Sequence, residues 1–144
     1  AIRGLELQAQ GQHCVLCNSA FETTDHLFLR CDFSTPVWYQ IFGWLGYSLV
    51  LPSNSASLCH LMASMGNNKK INSGLLLIWH ASVWVLWNKR NAKLFSDKAW
   101  VVAEVVDEIK QLAWHWFLHR LAKSPCLFYE WVWNPILCIS MYCS

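Results

Sequence analysis

Four potential metal ligands lie within one short segment near the amino end of the chain. Cys14, Cys17, His26 and Cys31 follow one another with the spacing C-x2-C-x8-H-x4-C. Two cysteines separated by two residues can point their thiolates the same way from a tight turn, and the histidine and third cysteine can complete a tetrahedron. A Cys3His set that leaves no position for water is typical of structural zinc. We therefore expect a zinc module with a structural and not a catalytic role.

Two alternatives to this ligand set remain open. The three cysteines are also compatible with ordinary small buried side chains, with His26 at the start of a helix. His13 precedes Cys14 and is a competing ligand, although neighbouring side chains diverge in an extended or turn segment. The remaining cysteines are scattered without ligand spacing, and we assign no role to Cys59, Cys126, Cys138 and Cys143.

The composition is apolar for a free-standing domain of 144 residues. Hydrophobic residues make up 55% and charged residues 14%, where about a quarter charged is usual, and Trp occurs ten times. Either most of this apolar surface is internal or part of it is covered by a partner. The chain begins with Ala1, so we expect a piece of a longer protein. Residues 1–12 resemble a polar linker and not a signal peptide, which favours an intracellular, reducing compartment.

Short helices are predicted on both sides of Cys31. Thr24 or Asp25 is expected to cap a helix that carries His26. Cys31 should lie just past the end of this helix, because five residues correspond to about 140° round an ideal helix. Further on, Thr35-Pro36 is expected to open a second helix, with Thr35 as N-cap, Pro36 at the first position and Gly46 as the stop. A short helix over 58–65 should end near Gly66.

Two longer helices follow. The first spans Gly74–Phe95, and the second, capped by Ser96 or Asp97, runs to about Arg120. The expected apolar stripe of the first consists of Leu75, Leu76, Trp79, Val83, Leu86, Trp87 and Arg90. That of the second consists of Val101 or Val102, Val105, Val106, Ile109, Leu112, Ala113, Trp116 and Phe117.

The aromatic tail after Ser124-Pro125 is compatible with a strand or an irregular strip, with a turn at Asn134-Pro135. The fold class that we expect is mainly α: a small Cys3His zinc module followed by a helical region of three to four helices. The predicted organisation is a zinc module over 1–46, a linker with a short helix over 47–70, a helical region over 71–123 and an aromatic tail over 124–144.

Charge patterning raises two further questions. Residues 71–88 carry no formal charge and are flanked by basic pairs, but this segment contains polar side chains and falls short of the roughly 20 apolar residues of a bilayer span. We favour a buried helix and expect no membrane association. The basic residues around this segment suit either phosphate contacts or a solvated helix end. The candidate nucleic-acid-binding residues are Lys89, Arg90 and Lys93.

The order of motifs resembles a known family. The C-x2-C pair is followed by ETTDHLFLRC, then SxxVW with an IFGWLG helix, then VWVLWNKRN with a following Phe95, and an AWHW pair. This is similar to the zinc-binding domain (zf-RVT) that follows the reverse transcriptase in plant LINE-type, non-LTR retrotransposons, together with the helical segment after it. The resemblance implies that Cys14, Cys17, His26 and Cys31 hold zinc.

Three functions follow from these observations. The first is a non-catalytic zinc module of a retrotransposon polyprotein that contacts RNA or DNA, with nuclear localisation if the parent element's role is retained. The second is an interaction or scaffold module whose Trp-rich helices dock on the parent reverse transcriptase. The third, an enzyme, has little support: no paired aspartates of a polymerase are present, and His115 and His119 form an HxxxH pair without the intervening Glu.

Overall fold

The computed structural model describes residues 13–17, 21–96 and 99–144, and its mainly helical architecture confirms the predicted fold class. The expected linker over 1–12 lies outside the described residues. Within the described chain, one turn of π-helix is followed by six α-helices. The π-helical turn is His26–Arg30, and the helices are α1 Ser34–Leu45, α2 Ser55–Ser64, α3 Lys69–Leu94, α4 Val102–Arg120, α5 Phe128–Trp133 and α6 Pro135–Tyr142.

The short helix predicted around His26 is present as a π-helical turn. The backbone N–H of Cys31 donates to the carbonyl of His26 at 2.7 Å, an i to i+5 bond that brings residue 31 back over residue 26. Cys31 lies just past the end of the helix, as predicted. Asp25 occupies the N-cap position, as predicted, but makes no side-chain capping bond. The hydroxyl of Thr23 accepts the hydrogen bond from the backbone N–H of His26 instead.

Helix α1 begins at Ser34, two residues before the predicted first helical residue, Pro36. The predicted N-cap is wrong, because the Thr35 hydroxyl donates to the carbonyl of Leu29 at 2.7 Å and therefore holds the preceding π-helical turn against α1. The Ser34 hydroxyl donates in the same way to the carbonyl of Leu27. The predicted stop is confirmed: Gly46 has a φ of 87°, the left-handed conformation that ends helices.

Asparagine side chains start the next two helices. The Asn54 side chain accepts from the backbone N–H of Ser57 at 2.8 Å, and Asn68 accepts from that of Ile71 at 3.0 Å. The short helix α2 lies close to its predicted position. Helix α3 begins five residues earlier than predicted, because Asn68 caps it there. Its first turn is mostly polar, so the apolar pattern did not indicate this start.

The buried face of α3 is rotated relative to the predicted stripe. Trp87 was expected inside but is 40% exposed, and Trp79 and Val83 are only half-buried. Three of the ten residues that α3 buries are small, whereas the predicted stripe placed the large indole rings of Trp79 and Trp87 inside. The residues that α3 buries are Ile71, Gly74, Leu75, Leu77, Ile78, Ala81, Ser82, Val85, Leu86 and Arg90.

Helix α4 follows its predicted apolar face closely. Its N-cap position is Val101, in an extended conformation and without a side-chain hydrogen bond. The prediction of Ser96 as cap was therefore wrong, and Asp97 lies outside the described residues. The residues that α4 buries are Val105, Val106, Ile109, Ala113 and Phe117, all from the predicted face.

The tail forms two short helices, so the expectation of a strand or irregular strip was wrong. Trp131 of α5 is fully buried, stacks on Phe117 with ring centroids 5.0 Å apart, and donates from Nε1 to the carbonyl of Lys110 at 3.0 Å. The chain turns at Asn134, as predicted, and the Asn134 side chain accepts from the backbone N–H of Leu137 at 3.1 Å. This cap starts α6.

The described chain packs around two apolar clusters. The large one joins residues of all six α-helices, and the small one consists of Cys14, Leu27 and Cys31 at the amino end. Among the described residues, no helix is long and apolar enough to cross a bilayer. The domain bounds expected from the sequence stay predictions.

Candidate metal centre

The side chains of Cys14, Cys17, His26 and Cys31 converge beside the π-helical turn. Their ligand atoms all lie within 4.8 Å of one another. The Sγ atoms of Cys14 and Cys31 are 3.7 Å apart, and Cys17 Sγ lies 3.2 Å from His26 Nε2. In the part of the chain that the structure describes, no other group of three or more such side chains comes this close.

Two local structures bring these ligands together. Residues 15–17 form a tight turn, and His13 and Phe21 pair in an isolated antiparallel bridge on either side of it. On the other side of the cluster, the i to i+5 bond of the π-helical turn places His26 and Cys31 on one side of the backbone. In an ordinary α-helix the same two residues would diverge by about 140°. The H-x4-C half of the motif therefore depends on this unusual turn.

The spacing of the sulfur atoms fits zinc and does not fit a disulfide. Zinc–sulfur bonds of about 2.3 Å place the corners of a tetrahedron about 3.8 Å apart, close to the 3.7 Å between Cys14 and Cys31. A disulfide requires about 2.05 Å, and the cysteines are free thiols. Three sulfurs and one imidazole nitrogen are a donor set that structural zinc prefers. The cluster thus fits a structural Zn2+ held entirely by protein.

The side chains of the cluster shift one another's pKa values. The hydrogen bond from the Cys31 thiol lowers the pKa of Cys14 to about 5, despite burial. The same bond, together with burial, raises the pKa of Cys31. Burial lowers the pKa of His26, but its bond to Cys17 and the nearby Cys14 thiolate outweigh this effect, so the pKa is raised. A divalent cation can replace the protons that these groups share.

The alternatives left open by the sequence are not favoured by this geometry. Ordinary core cysteines have no need to gather around an imidazole, and Cys17 and His26 are only half-buried. His13 is exposed and packs its ring 5.2 Å from that of Phe21, outside the group of converging ligands.

A carboxylate behind the C-x2-C turn connects it to the long helix, a contact that no local sequence pattern predicts. The backbone N–H of Val15 donates to Glu22 Oε2 at 3.4 Å. Arg90 of α3 donates to Glu22 Oε1 from Nε at 3.1 Å and from Nη2 at 2.7 Å. Both side chains are largely buried. The only sign of this contact in the sequence was Arg90, a charged residue within the predicted apolar stripe of α3.

A comparison with known protein families agrees with this geometry. The family model described as zinc-binding in reverse transcriptase (zf-RVT) matches residues 3–38, a span that contains all four converging ligands. The matched segment is therefore similar to the zinc-binding modules found in reverse transcriptases. Searches of curated proteins and of solved structures find no match. The zf-RVT match covers the C-x2-C turn, the π-helical turn and the start of α1.

The structure places the predicted nucleic-acid-binding residues near the end of α3, where two of them already have acidic partners. Lys89 Nζ lies 2.9 Å from Glu108 Oε1 of α4, and Arg90 is paired with Glu22 beside the zf-RVT module. Lys93 lies in the last turn of the helix. Their role in nucleic-acid binding stays a prediction, and Arg90 has a clear structural role.

The other chemical candidates do not form a second centre in the described chain. His115 and His119 are exposed and gather no third ligand, and the His115 ring packs 4.9 Å from that of Trp114. Burial raises the pKa of both Cys126 and Cys138, that of Cys138 to about 12. Neither thiol is a thiolate at neutral pH, so neither has the character of a reactive cysteine.

Proposed function

We propose that this chain is a non-catalytic, zinc-binding part of a LINE-type retrotransposon reverse transcriptase polyprotein, and that it helps to hold RNA or DNA. The observation that carries the proposal is the convergence of Cys14, Cys17, His26 and Cys31 inside the segment matched by the zf-RVT family. The motifs that continue to the AWHW pair of α4 support the LINE-type assignment, because their order follows that of the same family beyond the matched segment.

The role of the zinc follows from its ligands. Four protein donors leave no open position for water or substrate, so the ion would act by folding the amino end and not as a Lewis acid. The small cluster around Cys14, Leu27 and Cys31 has few apolar contacts of its own. Zinc would therefore supply the stability that this segment lacks, and hold it against α3 through Glu22 and Arg90.

Binding of nucleic acid tests the proposal directly. The zinc-loaded chain is titrated into fluorescent single-stranded RNA, single-stranded DNA and a duplex, and anisotropy is followed from about 50 to about 200 mM salt. Binding whose logarithm falls linearly with the logarithm of salt is expected, because phosphate contacts release counterions. The Cys14→Ser variant should bind more weakly, whereas Cys59→Ser, outside the cluster, should match the wild type. No binding by the zinc-loaded chain would contradict this part of the proposal.

A second candidate function is docking on the parent polymerase, and one surface favours it. The last two helices expose a face that includes Tyr129, Trp133, Leu137 and Met141, around a hollow of about 210 Å³. Trp133 is 76% exposed, which is unusual for an indole ring on a free surface. If this face docks, Trp133→Ala should weaken association with the reverse transcriptase segment measured by calorimetry, and should leave nucleic-acid binding unchanged.

A further inference from the structure

The outward face of α3 forms one wall of an open groove. The groove has a volume of about 440 Å³, and α4 and the π-helical turn complete it. Its lining includes Phe28, His80, Trp84, Trp87, Trp116 and Arg120. The groove therefore lies where the zinc module meets the helical region.

The aromatic rings of this groove remain accessible. Trp84 and Trp87 are 51% and 40% exposed. Together with His80 they occupy positions i, i+4 and i+7 of α3, so they share one helix face. The large core packs on the opposite face of the helix, although the Trp87 ring also lies 6.3 Å from that of Phe28 and 5.1 Å from the Arg90 guanidinium. Flat rings of this kind can take an unpaired base on their free faces.

The charge of the groove suits a polyanion. The Arg120 guanidinium lies 4.5 Å from the centre of the Trp116 ring, and none of the described residues that line the groove carries a carboxylate. Among the described residues, no acidic side chain forms an ion pair with Arg120. A neighbouring hollow shares His80 and Arg120 and continues along α3 towards its start, where Lys69 and Lys70 are exposed. Accessible indoles beside an arginine suit the base stacking and phosphate contacts by which proteins bind single strands.

We propose that this groove binds single-stranded RNA or DNA by stacking unpaired bases on Trp84 and Trp87, while Arg120 contacts a phosphate. The proposal rests on the nucleic-acid-binding function proposed above and names the site and the form of the ligand. It places the stacked bases on the outward face of α3, next to Arg90, whose guanidinium lies 5.1 Å from the centre of the Trp87 ring and is paired with Glu22. A duplex is disfavoured because its bases are already stacked on one another.

Point variants of the full zinc-loaded chain test the site. Trp84→Ala should weaken binding of a fluorescent single strand by about 5- to 150-fold, the loss expected for one stacked base. Trp84→Phe should retain most of the affinity, because it keeps a ring at the same place. Arg120→Gln should lower the affinity and reduce the salt slope by about 0.7, which corresponds to one phosphate of a single strand. The matched control is Trp133→Ala, an exposed Trp outside the groove, which should bind as the wild type does.

The possible outcomes separate this inference from the proposed function. If the wild type binds nucleic acid and neither Trp84→Ala nor Arg120→Gln changes that binding, the groove is not the site, and the proposed function stands. Tighter binding of a duplex than of its separate strands would overturn the stacking mode. If no nucleic acid binds the zinc-loaded wild type, both proposals fail. Association with the parent polymerase that is lost in Trp84→Ala, without nucleic-acid binding, would assign the groove to a protein partner and overturn the inference. Melting temperature and zinc content are measured for every variant, so that a loss of binding is not confused with a loss of fold.

Discussion

Arg90 forms an ion pair with Glu22, 68 residues earlier in the chain, with Nη2 and Oε1 2.7 Å apart. The second oxygen of Glu22 accepts from the backbone of Val15 within the C-x2-C turn. One carboxylate therefore connects the long helix to the backbone that presents the first two ligands. The side chains of the pair are 11% and 13% exposed, so water screens their interaction only weakly.

Loss of the Glu22 charge should destabilise the zinc-loaded protein. Glu22→Gln leaves the Arg90 guanidinium largely buried without a counter-charge, and we expect unfolding to become easier by about 2–4 kcal/mol, near the cost of breaking a buried pair. Zinc affinity should fall by about 10-fold or more, because the turn is less well held. Urea unfolding and competition with a chelator measure the two effects.

Glu108→Gln is the matched control for this experiment. It breaks the pair between Lys89 and Glu108, in which Glu108 is 49% exposed. We expect a change below about 1 kcal/mol, as is usual for exposed pairs. Equal effects of the two substitutions would show that the Glu22 contact has no special role.

Removal of zinc should unfold the amino end and leave the helices in place. The metal site lies in the small cluster of Cys14, Leu27 and Cys31, whereas the large core holds α1 to α6 together. A chelator, or the variant Cys14→Ser, should increase proteolysis within residues 13–31 and reduce helical circular dichroism only slightly. Metal analysis should find one zinc per wild-type chain and almost none in Cys14→Ser.

The control for zinc removal is Cys59→Ser, which changes a cysteine outside the cluster. This variant should keep its full zinc content and its resistance to proteolysis. Collapse of the whole helical signal on chelation would contradict the expected separation between the metal site and the large core.

Zinc binding should tighten as the pH rises. The pKa of His26 is raised in the metal-free fold. Protonation of His26 therefore stabilises that fold at pH values below the ordinary histidine pKa near 6.5. This stabilisation is lost as the pH rises through the raised pKa. Zinc requires the unprotonated ring, so its apparent affinity increases over the same interval. Calorimetry in two buffers of different ionisation enthalpy should detect proton release on binding.

The amount of proton release should depend on the individual ligands. Cys14, with its pKa lowered to about 5, is already a thiolate at neutral pH and should release little. Cys31, whose pKa is raised, should still release a proton at pH values at which His26 no longer does. An affinity that does not change between about pH 6 and 8 would contradict this account of the site.

A methyl group at Gly74 should force α3 and α6 apart. A Cβ there would lie 2.8 Å from Cγ1 of Ile139 and closer still to Cδ1. Ile is stiff at χ1 and cannot easily turn away. Overpacking costs about 1–3 kcal/mol, against a gain of about 0.5–1 kcal/mol for replacing a helical glycine. Thermal unfolding should therefore show a net loss of stability for Gly74→Ala.

Gly43→Ala provides the matched control for the glycine in α3. Gly43 lies inside α1 and has nothing within 4 Å of an added Cβ. Only the gain in helix propensity applies there, so this variant should be more stable than the wild type by about 0.5–1 kcal/mol. The double variant Gly74→Ala with Ile139→Val should recover part of the lost stability.

The sequence predicted those features that depend on local spacing. The convergence of the four candidate ligands could be predicted from their spacing in the sequence, because structural zinc requires a fixed donor set, often from a short segment. The apolar face of α4 and the stop at Gly46 could also be read, since helical periodicity and a left-handed glycine are local properties. Each of these depends on residues within one or two turns of one another.

The sequence did not predict contacts that depend on distant parts of the chain. Glu22 meets Arg90 across 68 residues, and no local pattern pairs them. The tail was misassigned because Phe, Tyr, Val and Trp favour strands when considered alone. In the structure, packing of Trp131 on α4 stabilises a helix instead. The face of α3 was misjudged because the predicted stripe included Trp79 and Trp87, whereas the helix buries the small residues Gly74, Ala81 and Ser82.

The segment matched by the zf-RVT family ends at residue 38, but the arginine that steadies its first turn lies at position 90. The structural unit that holds the four ligand side chains is thus larger than the matched segment. If the motif alone were transferred into another protein, the Glu22 carboxylate would lose its partner Arg90. A successful graft would have to bring a helix bearing a suitably placed guanidinium.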